Sequence, residues 1–288
     1  MLKLQTPVNL EPAPVPLSYE DRILVLGSCF ATEIGQRLLD TGFQVLAHPF
    51  GTLYNPVSVG NALARISSAI PFSETEAVEM GAGAGKICSF SHHTSFARSG
   101  REEFLDHANR SLEESASFWK RCNKVIITLG TAWAYRFNAT GETVANCLKR
   151  PAAEFTRYRL GVTQVSSLLQ GWVRRYPDKE FIFTVSPIRH LADGAHGNQL
   201  SKSTLLLATD GLPYFPAYEI MMDELRDYRW WAEDMVHPSR QAAAYLCDRF
   251  IEWALPTREW DRYESQWKEW RSRQHRPLYS EGNSISPE

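Results

Sequence analysis

The chain has 288 residues, of which 43% are hydrophobic and 22% charged, with a formal net charge of -2. That is ample material for a buried core, and the near-neutral charge excludes an electrostatic footprint for nucleic acid. No run approaches the roughly 20 apolar residues of a membrane span, and the opening Met1-Leu-Lys-Leu-Gln-Thr-Pro7 lacks the apolar stretch of a secretory leader. The five cysteines are scattered without a Cys-x-x-Cys pair, which argues against a disulfide framework or a zinc knuckle. A cytoplasmic protein without metal or other cofactor is the expectation.

In chain order, residues 1–21 carry four prolines and read as an extended arm. A strand over 23–26, apolar on both faces as a central parallel strand should be, breaks at Gly27-Ser28. A helix over 31–40 and a strand over 43–47 follow, and then the loop His48-Pro-Phe-Gly-Thr-Leu-Tyr-Asn-Pro56. A helix is expected over 57–69. The pattern then weakens, with a glycine loop at 81–85 and an extended piece at 89–96. A helix over 101–121 leads into a strand over 124–129, which stops at Gly130-Thr131. Residues 137–155 read as irregular, 163–176 as an amphipathic helix, and 180–185 as a buried strand ending at Ser186-Pro-Ile-Arg-His190. A helix over 199–208, a last strand within 212–221 and a helix over 240–254 complete a domain spanning 22–255. Strands alternating with helices predict a parallel, doubly wound α/β sheet. In the remainder, 256–288, Trp260, Tyr263, Trp267 and Trp270 fall at helical spacing on a charged helix. The favoured reading docks this stripe on the body of the protein, and the alternative presents it to a second copy as a homo-oligomer surface. The last residues, 280–288, read as disordered.

The polar strand ends define a candidate site, because ligands of open α/β sheets bind outside the carboxyl ends of the strands. Ser28 is placed to act as a nucleophile, and a serine hydroxyl needs a base within reach to take its proton. Asp234-Met-Val-His-Pro238 offers His237 as that base and Asp234 to orient it. The backbone N–H groups of Ser28 and Gly51 are candidate oxyanion donors, joined by a polar group from the third strand end. Arg189, His190 and Gly130 are candidate substrate-binding positions.

These motifs together carry a resemblance. Gly27-Ser-Cys-Phe-Ala31, Tyr54-Asn-Pro56, Thr128-Leu-Gly-Thr131, Ser186-Pro-Ile-Arg-His190, Leu200-Ser-Lys-Ser203, Tyr214-Phe-Pro-Ala-Tyr-Glu219, Leu225-Arg-Asp-Tyr-Arg229 and the Asp234–His237 loop resemble the GSCFA family. That family is similar to the SGNH (GDSL-type) hydrolases, which implies a flavodoxin-like three-layer α/β/α fold and ester hydrolysis through a Ser-His-Asp triad. Carried over, Ser28 matches the nucleophile block, Gly51 the second-block glycine, and Asp234 with His237 the closing acid and base. At the third block SGNH enzymes place asparagine where this chain has Thr131, so Thr131 or Asn55 is expected to complete the oxyanion hole. A polar, carbohydrate-linked acyl ester is the expected substrate, by analogy alone.

Competing readings accompany each assignment. Ser28 also suits a helix N-cap, and Cys29 is the rival nucleophile, although neighbours leaving a strand face opposite ways. Arg189 could clamp Glu219 or Asp227 instead of a ligand. His92 and His93 lack metal-ligand spacing. Cys147 and Lys149 are minor pocket candidates. The functional alternatives are an acyltransferase with the same triad and a non-catalytic ligand-binding module on the same scaffold.

Overall fold

The computed structural model describes residues 6–81 and 83–274. In it, β1 (Arg22–Gly27) runs into α1 (Cys29–Asp40), β2 (Gln44–Ala47) and α2 (Pro56–Ser68). A short antiparallel pair, β3 (Val78–Glu79) and β4 (Ile87–Cys88), precedes α3 (Arg101–Trp119) and β5 (Lys124–Leu129). Next come β6 (Trp133–Phe137), β7 (Thr143–Val144), β8 (Phe155–Arg159), α4 (Val162–Arg175) and β9 (Glu180–Val185). Then follow α5 (Gly194–Thr209), β10 (Tyr214–Phe215) and the single turn α6 (Ala217–Glu219). The last two helices are α7 (Arg240–Ala254) and α8 (Trp260–Gln274).

Five parallel strands form the central sheet in the order β2-β1-β5-β9-β10. Counted along the chain within the sheet this is 2-1-3-4-5, the flavodoxin-like order, and it reverses between β1 and β5. Alternation along each strand fills two cores. Ile23, Val25, Ile126 and Ile182 face α1 and α7, while Leu24, Leu26, Val125, Ile127, Phe181 and Phe183 face α2, α3, α4 and α5. Each fully buried aliphatic side chain contributes on the order of 2 kcal/mol, so strands that are apolar on both faces are held at the centre. The fold is thus the expected three-layer α/β/α sandwich.

Several elements depart from expectation for identifiable reasons. Helix α1 starts at Cys29, directly after Ser28, because Gly27 turns the chain there with φ of 126°. Residues 89–96 are not extended: they form a turn and a 3-10 segment, Thr94–Phe96. A second, three-stranded antiparallel sheet in the order β7-β6-β8 flanks the stretch expected to be irregular, which holds β7 and only the end of β6 and the start of β8. Its strands are short and carry Arg136, Arg157 and Arg159, so apolar periodicity is weak there.

Residues 6–21, ahead of β1, form no helix or strand, yet Val15, Leu17 and Tyr19 are buried, and the amides of Ala13 and Leu17 donate to the carbonyls of Trp253 and Ala254. Helix α8 packs its aromatic stripe on the same face. Tyr263 is buried, its hydroxyl accepts from Arg37 Nη1 at 3.3 Å, and the Arg37 guanidinium lies 4.1 Å from the Trp267 ring. The residues expected to be disordered, 280–288, lie outside the described residues. Among the described residues no helix is long and apolar enough to cross a membrane.

Candidate active site

At the carboxyl edge of the sheet, where the strand order reverses, lies a cavity of about 530 Å³. Ser28 reaches it from the end of β1, Gly130 and Thr131 from the end of β5, and Ser186, Arg189 and His190 from the end of β9. His237 arrives from the loop before α7, and Trp133, Tyr135 and Arg157 of the small sheet form a wall. Cys29, Gly51, Cys147 and Lys149 do not line it.

Glycine at position 27 is what aims Ser28. A Cβ there would stand 2.1 Å from the Thr128 carbonyl oxygen, so only glycine lets β1 close against β5 as it turns. Ser28 is 1% exposed and sits at the N-cap of α1, but its side chain makes no capping bond. Its Oγ pairs instead with Thr128 Oγ1 at 2.9 Å, and its N–H donates to Thr128 O at 3.0 Å and Oγ1 at 2.9 Å. The capping role is therefore set aside in favour of a hydroxyl held at the cavity. Cys29 instead faces Tyr54, with Sγ 3.8 Å from that hydroxyl.

Asp234 and His237 are joined, as their spacing implied. His237 Nδ1 lies 2.6 Å from Asp234 Oδ2, while Asp234 Oδ1 accepts from the amides of Val236 and His237, each at 2.9 Å. Those two amides, then the imidazole, hold the Asp234 carboxyl down at about 2, so it is ionised at neutral pH. The loop is braced by Ala232 N–H donating to His237 O at 2.8 Å and Ser239 N–H to Trp230 O at 2.7 Å. Arg189 completes the brace. Its guanidinium donates to the Met235 carbonyl and stacks 3.9 Å from the Trp231 ring, and its backbone N–H donates to Val236 O at 3.0 Å. Arg189 thus clamps neither Glu219, which accepts from Tyr214 at 2.8 Å, nor Asp227, which pairs with Arg229.

The expected oxyanion donors fare differently from the Asp234–His237 pair. Gly51 is a correction: its N–H donates to His48 O at 2.8 Å, and a Cβ there would meet His93 Cβ at 2.4 Å. That glycine serves a turn and a close contact. The amides of Gly130 and Thr131 both donate to Tyr54 O at 3.0 Å. The Thr131 hydroxyl pairs with Ser201 Oγ at 3.0 Å and accepts from Trp133 N–H at 3.1 Å. The Asn55 side chain caps α2, with Oδ1 accepting from Ser58 N–H at 2.9 Å and Nδ2 donating to Ser58 Oγ at 3.0 Å. An amide nitrogen carries two protons, so Asn55 keeps one N–H to offer into the cavity that it lines.

One group beneath the site carried no expected role. Lys202, 0% exposed, donates from Nζ to Gly130 O at 2.7 Å and to Ser186 O at 2.8 Å, tying the ends of β5 and β9 together. Burial pushes its ammonium down to about 7. A lysine on a helix reads as surface, and only its place in Leu200-Ser-Lys-Ser203 hinted otherwise. Next to it, His190 is pushed down to about 4 by burial and then by the Lys202 charge, so its imidazole is neutral at pH 7. The wall residues Trp133, Tyr135 and Arg157 were also missed. The alternation in Trp133-Ala-Tyr-Arg-Phe137 was the available signal for Trp133 and Tyr135. His92 and His93 do not line the cavity: Nδ1 of His92 pairs with Ser89 Oγ at 2.6 Å, and Nδ1 of His93 with Ser95 Oγ at 3.0 Å.

No curated protein matches this chain. The GSCFA family's sequence model matches residues 22–250, which spans every strand of the central sheet and each polar loop at its carboxyl edge, and the chain belongs to that family.

Proposed function

We propose that the protein is a serine ester hydrolase of the SGNH kind, acting on an acyl ester through an acyl-enzyme. The observation that carries this reading is a single cavity at the strand-order reversal, lined by both Ser28 and a His237 already paired with Asp234. Ser28 Oγ attacks the acyl carbon as His237 Nε2 takes its proton, and Asp234 stabilises the imidazolium that forms. His237 then returns the proton to the leaving alkoxide, and a water repeats the sequence to free the acid. In the resting structure the Ser28 hydroxyl is bonded to Thr128. Catalytic hydrogen bonds commonly tighten only when substrate is bound, so attack requires Oγ to rotate from Thr128 toward the histidine. The oxyanion would take the free Asn55 N–H, with the Ser28 amide released from Thr128 as its second donor.

A fluorophosphonate probe and p-nitrophenyl acetate test this directly. Wild type is labelled at Ser28 and turns over, Ser28→Ala abolishes labelling, and His237→Ala lowers kcat by at least about a thousandfold. Labelling that survives Ser28→Ala overturns the reading. A second reading, a ligand-binding module on the same scaffold, is favoured by the engaged amides of Ser28, Gly51 and Thr131. It requires ligand binding without labelling or turnover.

A further inference from the structure

Helix α5 buries polar side chains on one face, Asn198, Ser201 and Lys202, within a single helical turn. All three bond to the segments that leave β5 and β9. Asn198 Oδ1 accepts from the His190 N–H at 2.9 Å, and Ser201 Oγ accepts from the Ala132 N–H at 2.8 Å. Lys202 reaches both strand ends at once. The β5–β9 ladder stops at the Ser186 N–H, which donates to Leu129 O at 2.8 Å. In a parallel pair the next rung would bring the Thr131 N–H to Ser186 O. That N–H donates instead to Tyr54 O at 3.0 Å, so the strand ends part where the cavity opens. Ser186 is 0% exposed, and a buried carbonyl needs a partner. Lys202 Nζ supplies it at 2.8 Å and holds Gly130 O at 2.7 Å, standing in for the missing rung.

The two strand ends carry opposite halves of the proposed machinery. Ser28 hangs on β5, since Gly27 pairs in register with Thr128 and the Ser28 hydroxyl meets Thr128 Oγ1. His237 hangs on the turn after β9 through Arg189, whose N–H donates to Val236 O and whose guanidinium donates to Met235 O. The spacing of Gly130 from Ser186 therefore enters the distance between Ser28 and His237. We propose that Lys202 is a positioning residue, whose bridge from Gly130 to Ser186 sets how far His237 stands from Ser28. The inference rests on the hydrolase reading. Lys202 does not line the cavity, so it acts only through the two strand ends. Burial pushes its ammonium down to about 7, yet the neutral amine keeps two N–H groups, one for each carbonyl. The bridge thus holds in either protonation state. A misplacement of about 1 Å between reacting groups costs on the order of a hundredfold in rate.

Two variants test the bridge with p-nitrophenyl acetate, active sites being counted by exhaustive fluorophosphonate labelling. Lys202→Met keeps the carbon chain and removes every donor. Lys202→Gln keeps two N–H donors on a shorter stem, satisfies the carbonyls at an altered spacing, and serves where the first variant fails to fold. Lys202→Met lowers kcat per labelled site about a hundredfold, and Lys202→Gln lowers it at least about tenfold, with KM within about twofold of wild type. A merely structural lysine would lower Tm and the number of labelled sites but leave kcat per site unchanged. That result overturns the proposal, as does a loss of kcat/KM that lies wholly in KM. Hydrogen exchange at the Ser186 amide judges the bridge without catalysis, and the variant that folds should speed it about tenfold or more. Faster exchange there, with no labelling of wild type, would sink the hydrolase and keep the bridge. Labelling of Ser28 with kcat per site unchanged in the variants does the reverse.

Discussion

Gly27 and Asn55 show how single residues set this site. A methyl group at position 27 meets the backbone oxygen of Thr128, not a mobile side-chain tip, at a φ of 126° that L-residues avoid. Gly27→Ala should therefore cost on the order of 3 kcal/mol and lower Tm by roughly 6–12 °C, as read by circular dichroism. An unchanged melt would contradict the close β1–β5 approach. Asn55 has two jobs that one pair of variants separates. Asn55→Ala loses the α2 cap, at about 1 kcal/mol, along with the free N–H. Asn55→Asp keeps an acceptor for Ser58 but has no N–H to offer an oxyanion. The hydrolase reading expects both variants to lower kcat by about a hundredfold or more, with Asp holding Tm near wild type. Equal kcat in Asn55→Asp and wild type would remove Asn55 from the oxyanion hole.

Among the elements, what the sequence displayed depended on how each strand is buried. β5 and β9 are apolar on both faces, and their bounds agree with the expected strands residue for residue. The arginine-bearing strands of the small sheet show no such run, because one side meets a cavity and not a core. The same division runs through the site. Ser28 and the Asp234–His237 pair lie in short local motifs and were legible. Gly51 matched a motif, but its amide is spent on His48. Ser186 and Trp133 acquire meaning only when distant elements meet. Arg189 is another such case, since its guanidinium joins the turn after β9 to the loop that carries His237. Arg189→Ala should loosen that loop, speeding hydrogen exchange of the Val236 and His237 amides and lowering kcat about tenfold while Tm stays near wild type. Exchange as slow as in wild type would show that the Asp234 turn stands without this brace.

Across the whole molecule, buried titratable groups make stability depend on pH, with signs fixed by linkage. Lys202 titrates at about 7 when folded against 10.5 ordinarily, so between those values the unfolded chain holds a proton that the folded one has lost. Stability therefore rises with pH from about 7. The imidazole of His92, caged by Phe50, Phe72, Phe96 and Phe104, is pushed by burial down to about 3 from 6.5. His190 moves the same way, to about 4. Both contributions are complete above 6.5 and are lost as pH falls toward those values. Above 9 the slope reverses, because burial pushes the thiols of Cys88 and Cys122 up to about 11 and that of Cys247 to about 12. There the folded state retains protons that the unfolded state sheds. These opposing slopes place maximum stability between about pH 8 and 9, and thermal melts from pH 4 to 10 should trace that dome. Lys202→Met removes the titrating ammonium but keeps its carbon chain, so its curve should flatten between pH 7 and 9 while its acid limb still follows the two histidines. A variant curve parallel to wild type through that window would show that Lys202 remains charged in the fold, held by the Gly130 and Ser186 carbonyls against the cost of its burial.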